Sequence, residues 1–342
     1  MTDDLPEVRK SPPYIMYDMM KETGNSLEKT MKTTEDIDIN FKKGGVTVTG
    51  NGTSFHAGMM GFQFINSRDT VWNGIQSYEL EKYSEPLGNI LGISHTGKTY
   101  STIQSLKRHK SVYSIGISHF KDSPLLKIVD VPVLIPDRDD SLCNTKAFFD
   151  NVLASAIIAK KYEKIDYDFK PLVSKIAAEL DKADHTMKSI VREMPEINRI
   201  FVLGSGKNLI AARETAQKLK EATHIHSEGI EMEEYNHGCT SVTDNKTLIL
   251  MIQNKEDSER VKEINRGIKF VNSTSLVING DGDFSVPVDY ESSFELPILS
   301  MAYTYMFAYH LAVKMNVNPD ILRFDEPAYY DFDMAIFPPG HH

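Results

Sequence analysis

The stretch Asn89-Ile-Leu-Gly-Ile-Ser-His-Thr-Gly-Lys-Thr99 decides the fold class of this chain. It starts as an apolar run, turns polar at Ser94 and leads into a helical pattern, which is the order strand, loop, helix. Its last eight residues match the nucleotide-binding pattern G-x-x-x-x-G-K-[ST] letter for letter. The hydroxyls of Ser94, Thr96 and Thr99, with the imidazole of His95, equally suit a phosphate bound without a metal. The stretch predicts an α/β protein with a phosphate loop and leaves two ligand types open.

The same order of elements recurs on both sides of this loop. Short apolar runs rich in β-branched residues alternate with helical segments, which predicts parallel strands covered by helices on both faces. In the first half these runs are Val46-Thr-Val-Thr49, Val112-Tyr-Ser-Ile-Gly-Ile-Ser118 and Val129-Asp-Val-Pro-Val-Leu-Ile135, followed by a helix over 145–161. In the second half they are Arg199-Ile-Phe-Val-Leu203 and the runs over 247–252 and 274–279.

A polar segment over 163–170 divides the chain into two similar halves. We predict an N-terminal helical segment (1–40), a first α/β domain with the phosphate loop (41–165), a second α/β domain (171–315) and a C-terminal tail (316–342). Each domain is expected to be a doubly wound parallel sheet in a flavodoxin-like or Rossmann-like three-layer sandwich. Within 14–34, Gly24-Asn25 is expected to separate two short helices.

Composition narrows the class of protein further. The chain has 342 residues, 41% of them hydrophobic and 25% charged, and a net charge of −10. That charge disfavours nucleic acid or an anionic membrane as the main partner. Two cysteines, Cys143 and Cys239, suggest a reducing compartment. The N-terminus is unlike a signal peptide, and no apolar run approaches the roughly 18 residues of a membrane span. We therefore expect a cytoplasmic protein.

The nucleotide interpretation of the loop lacks its usual companions. A magnesium-binding aspartate should end an apolar strand downstream, but the apolar run around Asp130 continues past it. Asn254-Lys-Glu-Asp257 imitates a guanine-reading tetrapeptide, without the D-x-x-G element that normally precedes it. Gly50-x-Gly52 and Gly204-x-Gly206 each follow a strand, yet neither completes G-x-G-x-x-G. A phosphate bound without a metal is therefore the better-supported ligand.

A second set of polar residues lies in the second half. Lys218 and Glu221 are three residues apart on a predicted helix, so both side chains project from one face. An ordinary surface ion pair is the alternative explanation. The segment that follows is dense in imidazoles and carboxylates, and His237 is expected in a loop. A metal site built from the nearby histidines fits no standard ligand spacing, so no metal is expected.

These motifs, in this order, resemble the isomerase domain of glucosamine-6-phosphate synthase, a member of the sugar isomerase (SIS) domain family. The resemblance covers most of the chain and implies two tandem SIS domains. It rests on seven stretches: the run over 14–31, which resembles the family's entry helix, Gly52-Thr-Ser54, Ser94-His-Thr-Gly-Lys-Thr99, Thr145-Lys-Ala-Phe148, Lys218-Leu-Lys-Glu221, the run from Ile225 to His237-Gly238, and Ala308-Tyr-His310.

The resemblance also implies roles for individual residues. Glu221 would move a proton between C1 and C2 of the sugar, Lys218 would lie near the reacting carbons, and His237 would open the ring and reach a neighbouring subunit's site. It implies a homodimer with one active site per chain, no cofactor, and a tail that closes over the site. The phosphate and part of the sugar would be held by Gly52, Thr53, Ser54, Ser94, His95, Thr96, Thr99 and Asn144.

Three departures from the family pattern limit the expected reaction. The chain shows no glutaminase domain, it has no lysine after Lys314, and His95 and Asn144 replace the usual side chains of the phosphate site. The tail instead resembles stand-alone relatives. We expect a phosphosugar isomerase or deaminase that converts glucosamine 6-phosphate to fructose 6-phosphate and ammonia. Alternatives are the isomerase subunit of a split synthase with a separate glutaminase, a fructosamine-6-phosphate deglycase, and a non-catalytic sugar-phosphate sensor.

Overall fold

A computed structural model describes residues 9–65 and 71–337 of the chain. The contacts within these residues form two compact units. The first unit comprises residues 18–173 and the segment from 321 onward, and the second comprises 9–17 and 174–320. Residues 1–8 and 338–342 of the predicted terminal segments, and 66–70 of the first predicted domain, lie outside the described residues.

Between residues 9 and 337, leaving out 66–70, the chain forms ten α-helices and ten strands, which we number in chain order. They are α1 (Ile15–Glu35), β1 (Gly45–Thr49), α2 (Gly52–Phe62), β2 (Trp72–Gly74), α3 (Ser77–Lys82), β3 (Gly88–Ile93), α4 (Tyr100–Arg108), β4 (Ser114–Ser118), β5 (Val131–Leu134), α5 (Lys146–Glu163), α6 (Lys170–Glu193), β6 (Arg199–Gly204), α7 (Asn208–Thr223), β7 (His226–Ile230), β8 (Thr247–Ile252), α8 (Ser258–Ile268), β9 (Thr274–Ile278), β10 (Phe284–Val286), α9 (Glu295–Lys314) and α10 (Pro327–Ile336).

The first unit is built on a parallel sheet with the strand order β2-β1-β3-β4-β5. Strands β1 and β4 are buried along their whole length, as expected for a sheet covered on both faces. Their apolar side chains form one core with residues of β3 and β5 and with α2 and α5. The buried members of this core include Val46, Val48, Leu91, Ile93, Ile115, Ile117, Val133, Ala154 and Ile158.

Two contacts fix α5 within the first unit. Gly61 of α2 lies against Ser155 and Val152 of α5 so closely that a Cβ atom at Gly61 would be 2.5 Å from the Ser155 Cβ. On α1, the Ser26 and Thr30 hydroxyls donate to the two carboxylate oxygens of Asp150, at 2.6 and 2.8 Å. Asp150 is fully buried, and this burial raises its pKa to about 7.

The second unit is built on a parallel sheet with the strand order β10-β9-β8-β6-β7. Strand β8 is buried at all six positions, and the core lies between the sheet and helix α8. Helix α7 packs against β7 and against α9, whose side chains are almost all buried. Gly229 of β7 permits the close contact with α7, since a Cβ atom there would lie 2.4 Å from the Arg213 Cα.

The α/β architecture of two parallel five-stranded sheets flanked by helices confirms the predicted fold class at this level. The predicted strands and the predicted helix over 145–161 are present, with ends shifted by a few residues. Strands β2, β7 and β10 were not predicted. Helix α9 is long and apolar enough to cross a membrane, although no apolar run of that length was expected from the sequence. In the structure, 89% of its most apolar 18-residue window is buried. Such burial is what a core helix shows.

The predicted helix break at Gly24-Asn25 is wrong, because α1 continues through both residues. An interior glycine costs about 1 kcal/mol relative to alanine, which tertiary contacts readily offset. Here Thr23, Ser26 and Thr30 are fully buried, and the last two bond to Asp150. The packing against α5 therefore outweighs the local propensity.

Candidate functional site

The first candidate region is the carboxyl edge of the first sheet, where β1 and β3 are neighbours. In open α/β sheets, ligands bind at the point where the chain order of the strands reverses, and β1 and β3 flank that point here. Gly52, Thr53 and Ser54 form the first turn of α2 directly after β1, and Gly52 adopts a positive φ of 50°. The N-terminus of α2 offers backbone N–H groups and a favourable dipole to an anion.

The loop after β3 contributes the second half of this edge. Ser94 is buried, and its Oγ lies 2.8 Å from the Thr99 Oγ1 and accepts the Gly97 N–H at 3.0 Å. Gly97 has a φ of 63° and lies so close to Ser123 and Ser118 that a side chain would clash. The Thr96 hydroxyl accepts the Lys98 N–H at 3.2 Å. The loop is therefore a compact turn organised around the Ser94 hydroxyl.

His95 lies half-buried at the side of this loop. Its ring packs 4.7 Å from that of His119, and its Nε2 accepts the Asp139 N–H at 3.4 Å. Burial, together with the positive charges of Lys146 and Arg138 and the second imidazole, lowers the pKa of His95 well below 6.5. Burial lowers the pKa of His119 to about 4. Both rings are neutral at pH 7, so His95 offers hydrogen bonding to a ligand without a full charge.

The loop that leads into α5 holds Asn144 and a carboxylate that the sequence analysis missed. The Asn144 Nδ2 donates to the Ser141 carbonyl at 2.5 Å. The buried Asp139 accepts the N–H groups of Ser141, Thr145 and Ala147, at 3.1, 2.7 and 3.1 Å. Burial raises its pKa to about 6, against the lowering effect of these three bonds. Asp139 thus satisfies the N-terminal donors of α5 and fixes the loop that carries Asn144.

The second candidate region is on α7, in the second unit. Lys218 is only 1% exposed, and its ammonium donates to the Glu221 carboxylate. The same ammonium lies 3.8 Å from Glu214, one turn earlier, and Gln217 donates to the other Glu221 oxygen at 2.8 Å. The Glu221 side chain keeps 22% exposure. This is not the surface ion pair of the alternative explanation, because the lysine is buried while the carboxylate can be reached from solvent.

His237 lies elsewhere in the second unit, in a loop as predicted. It is exposed and lines an open cavity of about 690 Å³ beside β7, together with His226, Glu228 and Cys239. Lys218 and Glu221 are not among the residues that line it. Burial and the nearby carboxylates raise the pKa of the half-buried Cys239 thiol, while Cys143 is fully buried. The described residues contain no group of three or more His, Cys, Asp or Glu that could hold a metal.

The second sheet has the same reversal of strand order between β6 and β8, but different side chains follow its strands. The Ser205 Oγ donates to Glu231 at 2.6 Å, and Glu231 also accepts two backbone N–H groups of the next turn. After β8, Asn254 and Asp257 form a capping box, and the Asn254 Nδ2 also donates to the Ser205 carbonyl at 3.1 Å. Carboxylates therefore occupy the place where a phosphate would need donors.

Sequence reasoning missed Glu214 and Tyr305, which extend the Lys218 network. Tyr305, on α9, donates to Glu214 at 2.9 Å, and both side chains are completely buried. The i, i+4 spacing of Glu214 and Lys218 was a usable signal, because such residues face each other on a helix. Tyr305 is 91 residues further along the chain, and no local pattern could have paired it with Glu214.

Comparison with known proteins finds a matching family and similar sequences. Residues 193–315 match the model of the SIS domain family. The glutamine–fructose-6-phosphate aminotransferase of Sulfolobus acidocaldarius is 25% identical over 329 residues, covering 92% of this chain and 54% of that protein. The chain spans about half the length of the curated relatives it matches.

Solved structures share the fold over nearly the whole chain. The C-terminal domain of glucosamine-fructose-6-phosphate aminotransferase from Francisella tularensis has a TM-score of 0.80 at 19% identity, covering 92% of this chain and 99% of that one. Glucosamine-6-phosphate deaminase from Thermotoga maritima has a TM-score of 0.75 at 21% identity, covering 89% and 96%. Residues 193–315 thus match the SIS domain family, in a chain whose sequence relatives include glutamine–fructose-6-phosphate aminotransferases.

Proposed function

We propose that the chain is a phosphosugar isomerase/deaminase that converts an amino-hexose 6-phosphate, in the first place glucosamine 6-phosphate, to fructose 6-phosphate and ammonia. The observation that carries the proposal is the Lys218–Glu221 pair of the SIS domain, in which a buried ammonium holds a solvent-accessible carboxylate. Exchange between an aldose and a ketose needs one carboxylate that can take up and return a proton, beside a group that stabilises the developing oxyanion.

The proposed reaction balances with water as the only co-reactant. The Glu221 carboxylate removes the proton from C2 of the open-chain amino sugar and returns it to C1, while the oxygen on C1 gains a proton and the amine on C2 loses one, so that the aldehyde becomes a CH2OH group. The amine on C2 thereby becomes an imine, and water hydrolyses the imine to the ketone with release of ammonia. Lys218 provides positive charge beside the base during the proton transfer. His237 is assigned the ring-opening step, in the site of a neighbouring copy.

The first unit is proposed to hold the phosphate and part of the sugar. The support is the position of the predicted residues after β1 and β3 and before α5: Gly52, Thr53, Ser54, Ser94, His95, Thr96, Thr99 and Asn144. We also propose that this unit is a second SIS domain, over 41–165, ahead of the one assigned to 171–315. When the strands of each sheet are numbered from 1 to 5 in chain order, both sheets have the strand order 2-1-3-4-5.

The assembly follows from the same assignment. We propose a cytoplasmic homodimer that works without metal or cofactor, with a C-terminal tail, 316–342, that closes over the site. The second candidate function is the isomerase subunit of a split synthase with a separate glutaminase partner. It is favoured by the relatives, which are named glutamine–fructose-6-phosphate aminotransferases and of which this chain covers about half.

The test is release of ammonia and fructose 6-phosphate from glucosamine 6-phosphate by the full chain in the presence of EDTA. Glu221→Gln should lower turnover by about 10³-fold, the scale of a lost general base. Lys220→Gln, an exposed change on the same helix, should leave turnover within about twofold. Binding of the sugar phosphate should survive in all three proteins.

Other outcomes separate the alternatives. Synthesis of glucosamine 6-phosphate only when a glutaminase is supplied would indicate the split synthase. Turnover of a fructosamine 6-phosphate alone would indicate a deglycase, and binding without turnover of any amino sugar would indicate a sensor. If wild type neither binds nor converts sugar phosphates, the proposal is wrong.

A further inference from the structure

Helix α9 carries two buried tyrosines that make the same kind of contact with different partners. The side chains of Tyr303 and Tyr305 are both completely buried, and each hydroxyl donates to a glutamate carboxylate. Tyr303 donates to Glu179 on α6, and Tyr305 donates to Glu214 on α7 at 2.9 Å. Of these two glutamates, Glu214 belongs to the Lys218 network.

Four side chains of the second unit, from Tyr305 to Glu221, lie next to one another in series. Tyr305 contacts Glu214, Glu214 lies 3.8 Å from the Lys218 ammonium, and the ammonium contacts Glu221. Tyr305, Glu214 and Lys218 have 0, 0 and 1% exposure, whereas Glu221 is 22% exposed. Charges in a dry interior interact far more strongly than at the surface. The position of the ammonium therefore depends on how strongly each of its two carboxylates attracts it.

A hydrogen bond to a carboxylate stabilises its negative charge and weakens its attraction for a second donor. The Tyr305 hydroxyl thus partly satisfies Glu214. Without the hydroxyl, Glu214 would remain buried with one donor fewer and would compete more strongly for the ammonium. Glu221 would then lose part of its contact with the ammonium.

We propose that Tyr305 is a positioning residue, which sets through Glu214 how the Lys218 ammonium is shared with Glu221. The effect of this sharing on turnover rests on the function proposed above, whereas the sharing itself does not. Tyr305→Phe removes only the hydroxyl. Tyr303→Phe is a matched control, because it removes an equally buried hydroxyl from a glutamate, two residues away on the same helix.

The first readout is independent of any activity. In protein labelled with ¹⁵N and ¹³C on lysine, the Nζ–Cε signal of Lys218 is identified by its loss in Lys218→Met. The signal should shift in Tyr305→Phe and stay in place in Tyr303→Phe. An unchanged signal in Tyr305→Phe, or an equal shift in both variants, would overturn the proposal whether or not the chain turns over sugar phosphates.

The second readout uses turnover. Tyr305→Phe should lower kcat/KM about tenfold, while Tyr303→Phe should stay within about twofold of wild type. In a Glu214→Gln background, Tyr305→Phe should have little further effect, because residues that act through one another are not additive. Additive losses would show that the tyrosine acts by another route. A wild type without activity would refute the proposed function and leave the lysine signal to decide the role of Tyr305.

Discussion

The two sheets of this molecule have the same strand order but differ in the side chains at their points of reversal. Numbered from the first strand of each, both sheets run 2-1-3-4-5. Beside β1 and β3, the loops carry glycines and hydroxyls, and Ser94 organises the turn. Beside β6 and β8, Glu231 and Asp257 accept the available backbone and side-chain donors.

The difference indicates that two copies of one architecture can present different side-chain chemistry at the same place in the strand order. An anion needs unoccupied N–H and O–H donors, and a carboxylate at the same place both uses these donors and repels the anion. The glycines and hydroxyls beside β1 and β3 are of the kind that the proposed phosphate site needs. In the second unit the distinctive feature is instead the buried lysine on α7.

The largest effect is expected when a carboxylate, which the loops of the second sheet carry, is introduced into the loop after β3. Thr96→Glu places a carboxylate in the loop after β3, and binding of glucosamine 6-phosphate should weaken by about 100-fold or more, since like charges cost several kcal/mol. Isothermal titration calorimetry in a Glu221→Gln background would measure this without turnover. Lys255→Glu changes the charge of the exposed loop after β8 by −2, twice the change at Thr96, and should still leave binding unchanged. An equal loss of binding affinity in both variants would contradict the assignment of the phosphate site to the first sheet.

The next effect compares two helix glycines, one from each unit. Gly61→Ala would place a Cβ atom 2.6 Å from the Val152 carbonyl oxygen and should cost about 2 kcal/mol, because backbone must move. Gly267 of α8 has open space around it, so Gly267→Ala should stabilise by about 0.5 kcal/mol through helix propensity. Urea denaturation followed by circular dichroism would measure both. If both substitutions changed the free energy of unfolding in the same direction, the tight contact between α2 and α5 would be contradicted.

The third effect concerns the buried carboxylate of the first unit. Since burial raises the pKa of Asp150 from 3.8 to about 7, the folded chain keeps a proton there that the unfolded chain releases. The free energy of unfolding therefore falls between about pH 4 and pH 7, by at most about 1.4 kcal/mol per pH unit from this group. Asp150→Asn has no such proton and should lose this contribution.

The measurement for Asp150 is a difference between two proteins. Urea midpoints of wild type and Asp150→Asn would be compared from pH 4.5 to 7.5, and the variant should gain relative to wild type as the pH rises. The comparison cancels the opposite contribution of His95 and His119, whose lowered pKa values favour the folded state as pH rises toward 6.5. If the urea midpoints of the two proteins changed in parallel with pH, Asp150 would be ionised over the whole range from pH 4.5 to 7.5, and the prediction would be wrong.

The smallest effect is expected at Lys98, and it separates the two interpretations of the loop. Lys98 is exposed, and Lys98→Ala should change sugar-phosphate binding by less than about threefold, as for an exposed charge. A nucleotide loop would instead lose magnesium-dependent ATP or GTP binding. Detection of such binding in wild type, and its loss in the variant, would refute the sugar interpretation.

Much of this architecture could be predicted because parallel strands that are buried on both faces appear as apolar runs. The runs around Val46, Leu91 and Leu250 are of this kind. Strands β2 and β7 could not be predicted, since they are short, polar edge strands such as Trp72–Gly74 and His226–Ile230. The continuity of α1 through Gly24 depends on contacts with Asp150, more than a hundred residues away.

The candidate site shows the same limit. Motifs identified the loop around Ser94 and the pair Lys218 and Glu221 because their members are close in sequence. Glu214 and Tyr305 were missed because their pairing across α7 and α9 is a property of packing. Burial of Lys218 could likewise not be read from a helix that has charged residues on several faces.

The unequal burial of the two cysteines makes the chain suitable for site-specific labelling without mutagenesis. Cys143 is inaccessible, while Cys239 is partly exposed beside His237. A maleimide or a fluorinated alkyl reagent should modify Cys239 alone, most readily at mildly alkaline pH, because its raised pKa leaves little thiolate at neutrality. A fluorophore or ¹⁹F label attached there would report directly on the surroundings of the histidine.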